Sequence, residues 1–209
     1  MIEVWSVPTA NGQKVHIVLE EAGLAYRAVM VDLAAGAHRT PEFLALNPFG
    51  KAPVMRDPDG PGGTPIVLAE TMAMAWYAAE KDPNGLVADD PTIRAEQMMW
   101  ASALSSSVAM PFAMQFFATQ LAPNPDPWLI KTMTAGARRA LDVFETRLTD
   151  RAFVCGETFS VVDCLLFPVV ATSARRLEGW LEPYPALERW HDLIAQRPGV
   201  QRGMAVGAD

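Results

Sequence analysis

The sequence predicts two parts of different class: an α/β domain with the element order βαβαββα over residues 1–81, and an all-helical domain over residues 92–209, joined by a linker at 82–91. Three observations carry this. Apolar residues in the first eighty positions switch repeatedly between a period of two and a period near 3.6. Asp82-Pro83-Asn84-Gly85 through Asp90-Pro91 concentrates turn formers and holds few large apolar side chains. Beyond it, every long segment carries helical spacing.

Ile2–Ser6 reads as the first strand. Val15, Val18, Leu19 and Ala22 then fall at i, i+3, i+4 and i+7, a stripe on a helix that Gly23 can close. Tyr26–Asp32 is the second strand. Thr40, Pro41 and Glu42 have the form of an N-cap, a first-turn proline and a first-turn acid, and the short helix they begin must stop before Pro48. Ala52–Arg56 and Pro65–Ala69 are two strands around the turn-rich Asp57–Gly63, and a helix over about Glu70–Lys81 completes the domain. In the second half, residues 92–120 form a Met-rich and aromatic-rich helical stretch that Pro111 should kink or break. Leu129, Met133, Ala137, Leu141, Phe144 and Leu148 trace one face of a helix over 127–148. Ser160-Val161-Val162-Asp163 has the form of a capping box, and Pro185, Leu187, Trp190, Leu193 and Ile194 mark an amphipathic helix closed near Pro198-Gly199.

Composition narrows the functional classes. The chain has 209 residues, 50% of them hydrophobic, which is ample for buried cores. Its 24 acidic and 17 basic residues give a net charge of -7 with no block of like charge, so the clustered Lys and Arg of a nucleic-acid surface are absent. No apolar run approaches the ~18 residues of a membrane span, and Met1-Ile2-Glu3-Val4-Trp5 lacks the pattern of a secretory signal. The two cysteines, Cys155 and Cys164, suit small buried side chains better than a disulfide framework or a metal site, which fits a reducing cytoplasmic compartment.

Several segments together resemble the cytosolic glutathione transferases over nearly the whole length. They are Pro8-Thr9-Ala10-Asn11-Gly12 after the first strand, Asn47-Pro48-Phe49-Gly50-Lys51-Ala52-Pro53-Val54 before the third, and Ala69-Glu70-Thr71 at a helix start. In the helical half, Phe153-Val154-Cys155-Gly156 with Phe159–Asp163 looks like the family's folding motif, and Tyr184-Pro185-Ala186-Leu187 with Trp190 fits its last helix. Thr9 with Asn11 further resembles the bacterial Nu-like subgroup. The resemblance implies a thioredoxin-like glutathione-binding domain over 1–81 and a helical domain over 92–209 that forms the second-substrate pocket. It implies glutathione or glutathione disulfide as co-substrate, no metal, a homodimer, and a small electrophilic or disulfide substrate. Transferase, disulfide-bond reductase and peroxidase activities are all open, with a glutathione-dependent isomerase, lyase or dehalogenase, or a non-catalytic binding module, as alternatives.

The residues support such a site on chemical grounds. Glutathione carries two carboxylates, an ammonium and a thiol, so its site needs matching charges and backbone pairing. Ala52, followed by a Pro53 that is cis in the family, is expected to pair with the cysteinyl unit; Glu70 and Thr71, at a strand-to-helix junction, are expected to take the γ-glutamyl group. Lys51 and His38 are candidates for the glycyl carboxylate. Thr9 and Asn11, the expected catalytic pair, can donate hydrogen bonds to a thiolate at a helix start, although both also suit helix capping. Trp5 stands where some classes use Tyr, and no cysteine precedes Cys155, which excludes the tyrosine and cysteine mechanisms. Met110, Phe112, Met114, Phe116 and Phe117 are candidate walls of the second pocket, and Arg138 and Arg139 candidates to reach a neighbouring site. His16 and His191 have no assigned task.

Overall fold

The computed structural model describes residues 1–177 and 179–208, which divide into two compact units: Met1–Val87 with the C-terminal residues from Ala195, and Ala88–Ile194. The first unit is thioredoxin-like. It contains β1 (Ile2–Ser6), α1 (Ala10–Glu21), β2 (Tyr26–Met30), a 3₁₀ turn (Ala37–Arg39), α2 (Pro41–Leu46), β3 (Val54–Asp57), a second 3₁₀ turn (Pro61–Gly63), β4 (Ile66–Leu68), α3 (Thr71–Glu80) and α9 (Pro198–Ala205). The sheet order is β2-β1-β3-β4, with β1 parallel to β2 and the other two pairs antiparallel.

Close backbone approach explains why α1 sits where it does. A Cβ on Gly12 would stand 2.2 Å from the Val7 carbonyl oxygen, so only glycine lets the first turn of α1 close over the end of β1. Val15, Ile17, Val18 and Leu19 are fully buried in this unit, as are Val4, Val54 and Met74. On the other side, α9 packs on α1 through Gly203, whose absent side chain admits the Ile17 backbone. Glu21 fastens that contact by accepting from the Arg197 guanidinium at 2.6 Å and from Val200 N–H at 3.2 Å. Asp57, buried at the end of β3, accepts from Tyr77 Oη–H at 2.7 Å and Lys81 Nζ at 2.5 Å, which ties the sheet to the end of α3.

The second unit is helical: α4 (Pro91–Ala103), α5 (Ala109–Phe116), α6 (Pro127–Leu148), α7 (Val161–Arg176) and α8 (Pro185–Ala195). The 127–148 helix has the span read from the sequence. The interruption around Pro111 takes a different form. Pro111 lies inside α5, and the irregularity is displaced into two π turns, Leu104–Val108 and Phe117–Leu121. A proline offers no N–H to the preceding turn, and the wider π turn just upstream absorbs the mismatch without ending the helix. The second strand is also shorter than expected, ending at Met30, because the Asp32 carboxylate accepts Ala35 N–H at 2.9 Å and turns the chain.

The Ser160-Asp163 capping box is present and extends further than the sequence indicates. Asp163, fully buried, accepts from Ser160 N–H at 2.9 Å and Ser160 Oγ–H at 3.0 Å, from Val154 N–H at 3.0 Å and from Trp190 Nε1–H at 2.9 Å. One carboxylate thereby joins the loop before α7, the start of α7 and the middle of α8. Among the described residues no helix is long and apolar enough to cross a membrane.

Candidate functional site

Sheet register brings the candidate residues to one end of the first unit. Trp5 pairs with Val54 and Met55 with Leu68, so the C-terminal end of β1, the N-terminal end of β3 and the C-terminal end of β4 lie side by side. Parallel pairing of Ser6 with Met30 adds the end of β2. The segments at these ends carry Thr9 and Asn11 after β1, His38 after β2, Lys51-Ala52-Pro53 before β3, and Glu70-Thr71 after β4. Gly50 ties two of them together: a Cβ there would lie 2.8 Å from the Arg39 guanidinium and 3.0 Å from the His38 carbonyl oxygen. Buried Asn47 holds the same turn, donating from Nδ2 to the Lys51 carbonyl at 2.7 Å and accepting Phe49 N–H at 3.0 Å.

Lys51 is exposed, and Ala52 is half-buried beyond the last β1–β3 pair, with the Ala52–Pro53 peptide cis. His38 is half-buried with its Nδ1 enclosed and without a hydrogen-bond partner. Glu70 is the exposed N-cap residue of α3, and Thr71 opens the helix.

The helix starts differ sharply in how their free amides are satisfied. Thr40 caps α2 by accepting Phe43 N–H at 3.3 Å, Asp90 caps α4 by accepting Thr92 N–H at 2.8 Å, and Asp126 caps α6 by accepting Leu129 N–H at 2.7 Å. Ser160 begins α7, and at the start of α8 the Glu145 carboxylate accepts Ala186 N–H at 3.1 Å and Leu187 N–H at 2.9 Å. At α1 and α3 the N-cap residues are Thr9 and Glu70, both in extended geometry, and neither side chain caps its helix. Two helix ends are thus left without a side-chain cap at the same end of the sheet, where their amides and dipoles favour an anion.

Sequence reasoning missed Lys14. Its side chain is only 4% exposed, and its Nζ donates to Asn11 Oδ1 at 3.1 Å. Burial pushes its ammonium down to about 8. The available signal was the i, i+3 spacing from Asn11 on α1. Nearby, His16 Nε2 and Ser6 Oγ share a hydrogen bond of 2.9 Å in the core, and burial pushes His16 down to about 4, so it is neutral at ordinary pH. Cys155 is no nucleophile in this setting, since burial pushes its thiol up to about 12.

The sequence pattern of the glutathione S-transferase N-terminal domain matches residues 10–81, and that of the C-terminal domain matches residues 75–193. The chain belongs to the glutathione S-transferase family. Among glutathione S-transferase relatives, the disulfide-bond oxidoreductase YfcG of Escherichia coli (strain K12) is 32% identical over 98% of this chain and 94% of its own. A glutathione transferase family member from Pseudomonas fluorescens pf-5, solved with two glutathione bound, superposes with a TM-score of 0.92 at 31% identity, covering 97% of this chain and 92% of that one. A glutathione transferase from Pseudomonas putida, solved with one glutathione disulfide bound per subunit, has a TM-score of 0.92 at 30% identity and covers 98% and 91%.

Proposed function

We propose that the protein is a cytoplasmic, Nu-like glutathione transferase that binds glutathione at the open end of the first unit and uses its thiolate chiefly to reduce small disulfides. The observation that carries this reading is the pair of uncapped helix starts, α1 and α3, converging where the sheet register also brings Lys51, Ala52 and His38. In this reading the α3 amides and Thr71 hold the γ-glutamyl carboxylate, Glu70 its ammonium, the Ala52-Pro53 backbone the cysteinyl unit, and Lys51 with His38 the glycyl carboxylate. Thr9 and Asn11 donate to the sulfur. The helices of the second unit supply the second pocket, and the assembly is a homodimer.

The energetics are sufficient without a general base. An unperturbed thiol with pKa ~8.5 must fall by about two units, worth roughly 2.7 kcal/mol, before the thiolate dominates at neutral pH. One hydrogen bond to a charged group contributes about 1.5–3 kcal/mol and a helix start about 0.3–1 kcal/mol. The thiolate then attacks a substrate sulfur and expels the other as thiolate. A second glutathione attacks the mixed disulfide, releasing glutathione disulfide and the reduced product, so two thiols are oxidised for each disulfide reduced. The relatives solved with two glutathione and with glutathione disulfide hold the reductant and product of that exchange, which supports disulfide reduction. The same thiolate can also attack an electrophilic carbon or a peroxide oxygen.

Calorimetry tests the binding reading. The parent should bind glutathione and its disulfide, and Glu70→Ala should weaken both at least about tenfold, since the ligand ammonium loses its charged partner. Unchanged affinity in Glu70→Ala would remove Glu70 and the start of α3 from the site. A coupled assay with glutathione and a small dialkyl disulfide then tests the chemistry; a chain that binds glutathione but leaves the disulfide intact is not a reductase.

A further inference from the structure

An ammonium carries three donors and a full charge, and burying it is unfavourable unless it meets acceptors and a counter-charge. Lys14 departs from that rule. It is nearly fully enclosed, and among the described residues its one hydrogen-bond acceptor is the neutral Asn11 Oδ1 at 3.1 Å. Among the described residues, the charges on α9 and α3, the helices packed against α1, are committed elsewhere or stand in solvent. Arg197, just before α9, pairs with Glu21, and Arg202 on α9 with Glu20; by α3, Lys81 pairs with Asp57, Glu80 bonds Trp76, and Glu70 is exposed. A buried cation with no carboxylate partner among the described residues, one turn inside an uncapped helix start, has the arrangement of a group that waits for an anion.

The geometry also fixes Asn11. An amide presents an acceptor edge and a donor edge, and Lys14 occupies the acceptor edge. The exposed Asn11 side chain therefore offers only its Nδ2–H donors to a ligand, which is the edge a thiolate requires. Without Lys14 the amide could turn its oxygen outward and repel the sulfur.

We propose that Lys14 is a positioning residue of the thiol site, holding Asn11 donor-outward and adding a buried positive charge that favours the bound thiolate. The proposal rests on the glutathione reading above and deepens it. It also accounts for a lysine buried in the second turn of α1, where a Met of similar length would be better accommodated.

Lys14→Met and Lys14→Gln test it. The thiol of bound glutathione, titrated by thiolate absorbance in the ultraviolet, should shift up by about one unit in both, leaving roughly tenfold less thiolate below that pKa. Turnover at neutral pH should fall in proportion. Affinity for S-methylglutathione, which has no thiol proton, should not change, and Lys14→Met should melt no lower than the parent. A lysine kept only for structure gives the opposite pattern, a lower melting temperature with the titration unmoved, and that result overturns the proposal. A parent that binds no glutathione overturns the site reading beneath it, whereas a parent that binds normally beside a Lys14→Met with the same titration overturns the role of Lys14 alone.

Discussion

The starts of α7 and α1 differ in what completes them. At α7, Asp163 gathers donors from Ser160, Val154 and Trp190, Ser160 Oγ accepts Val162 N–H, and nothing at that end needs an external group. At α1, Thr9 is a residue of the same capping class in the same extended geometry, yet its hydroxyl caps nothing and the side chain stands in solvent. Local sequence preference favours a cap in both places. The difference teaches that a cap-competent residue which does not cap marks a helix end kept for something else.

The largest expected effect lies at the closed end. Asp163→Ala strands Val154 N–H, Ser160 N–H and Trp190 Nε1–H in the interior, each at a cost of about 1–3 kcal/mol, so unfolding free energy should drop by at least about 3 kcal/mol. Urea denaturation reads this directly, and glutathione affinity measured on the folded variant should match the parent. A loss under about 1 kcal/mol would mean that the network is not what holds α7 and α8 together.

Slightly smaller is the acid response of α1, whose interior is closed even though its end is open. His16 is 1% exposed and its pKa falls from 6.5 to about 4 on folding, so between those values the unfolded chain binds a proton that the folded chain refuses. Its contribution is complete above pH 6.5 and is lost as pH falls towards 4, by about 3 kcal/mol in all. Stability measured over this range should be flatter in His16→Gln than in the parent. If the two profiles run parallel, His16 is not the group being titrated.

The contrast between the two ends also sets what could be read from sequence. The order of strands and helices in residues 1–81, the α2 cap at Thr40, the span of α6 and the Ser160 box were all legible, because each depends on neighbours within a few positions. The Asp163 bonds to Val154 and Trp190 were not, since they join groups 9 and 27 positions away. The same holds for Lys14: its spacing from Asn11 is local, but its burial depends on packing that no period reveals. Pro111 was recognised as a disturbance, while its relocation into π turns on either side depends on how the long helix is held. That Thr9 leaves its helix uncapped was the least legible fact, since propensity argues for the opposite.

The smallest effect on stability is expected where the effect on chemistry is large. Because the Thr9 hydroxyl makes no capping bond, Thr9→Val should change the unfolding free energy by no more than about 0.5 kcal/mol, against ~1 kcal/mol for a capping threonine. If the hydroxyl instead donates to the glutathione sulfur, removing it withdraws a hydrogen bond to a charged group and should raise the bound thiol pKa by about one to two units. Valine keeps the shape, so glutathione binding at a pH where the thiol is protonated should persist, and Thr9→Ser should restore the parental titration. The opposite pattern, a clear drop in melting temperature with an unmoved thiolate absorbance, would make Thr9 an ordinary cap in solution and erase the distinction between the starts of α1 and α7.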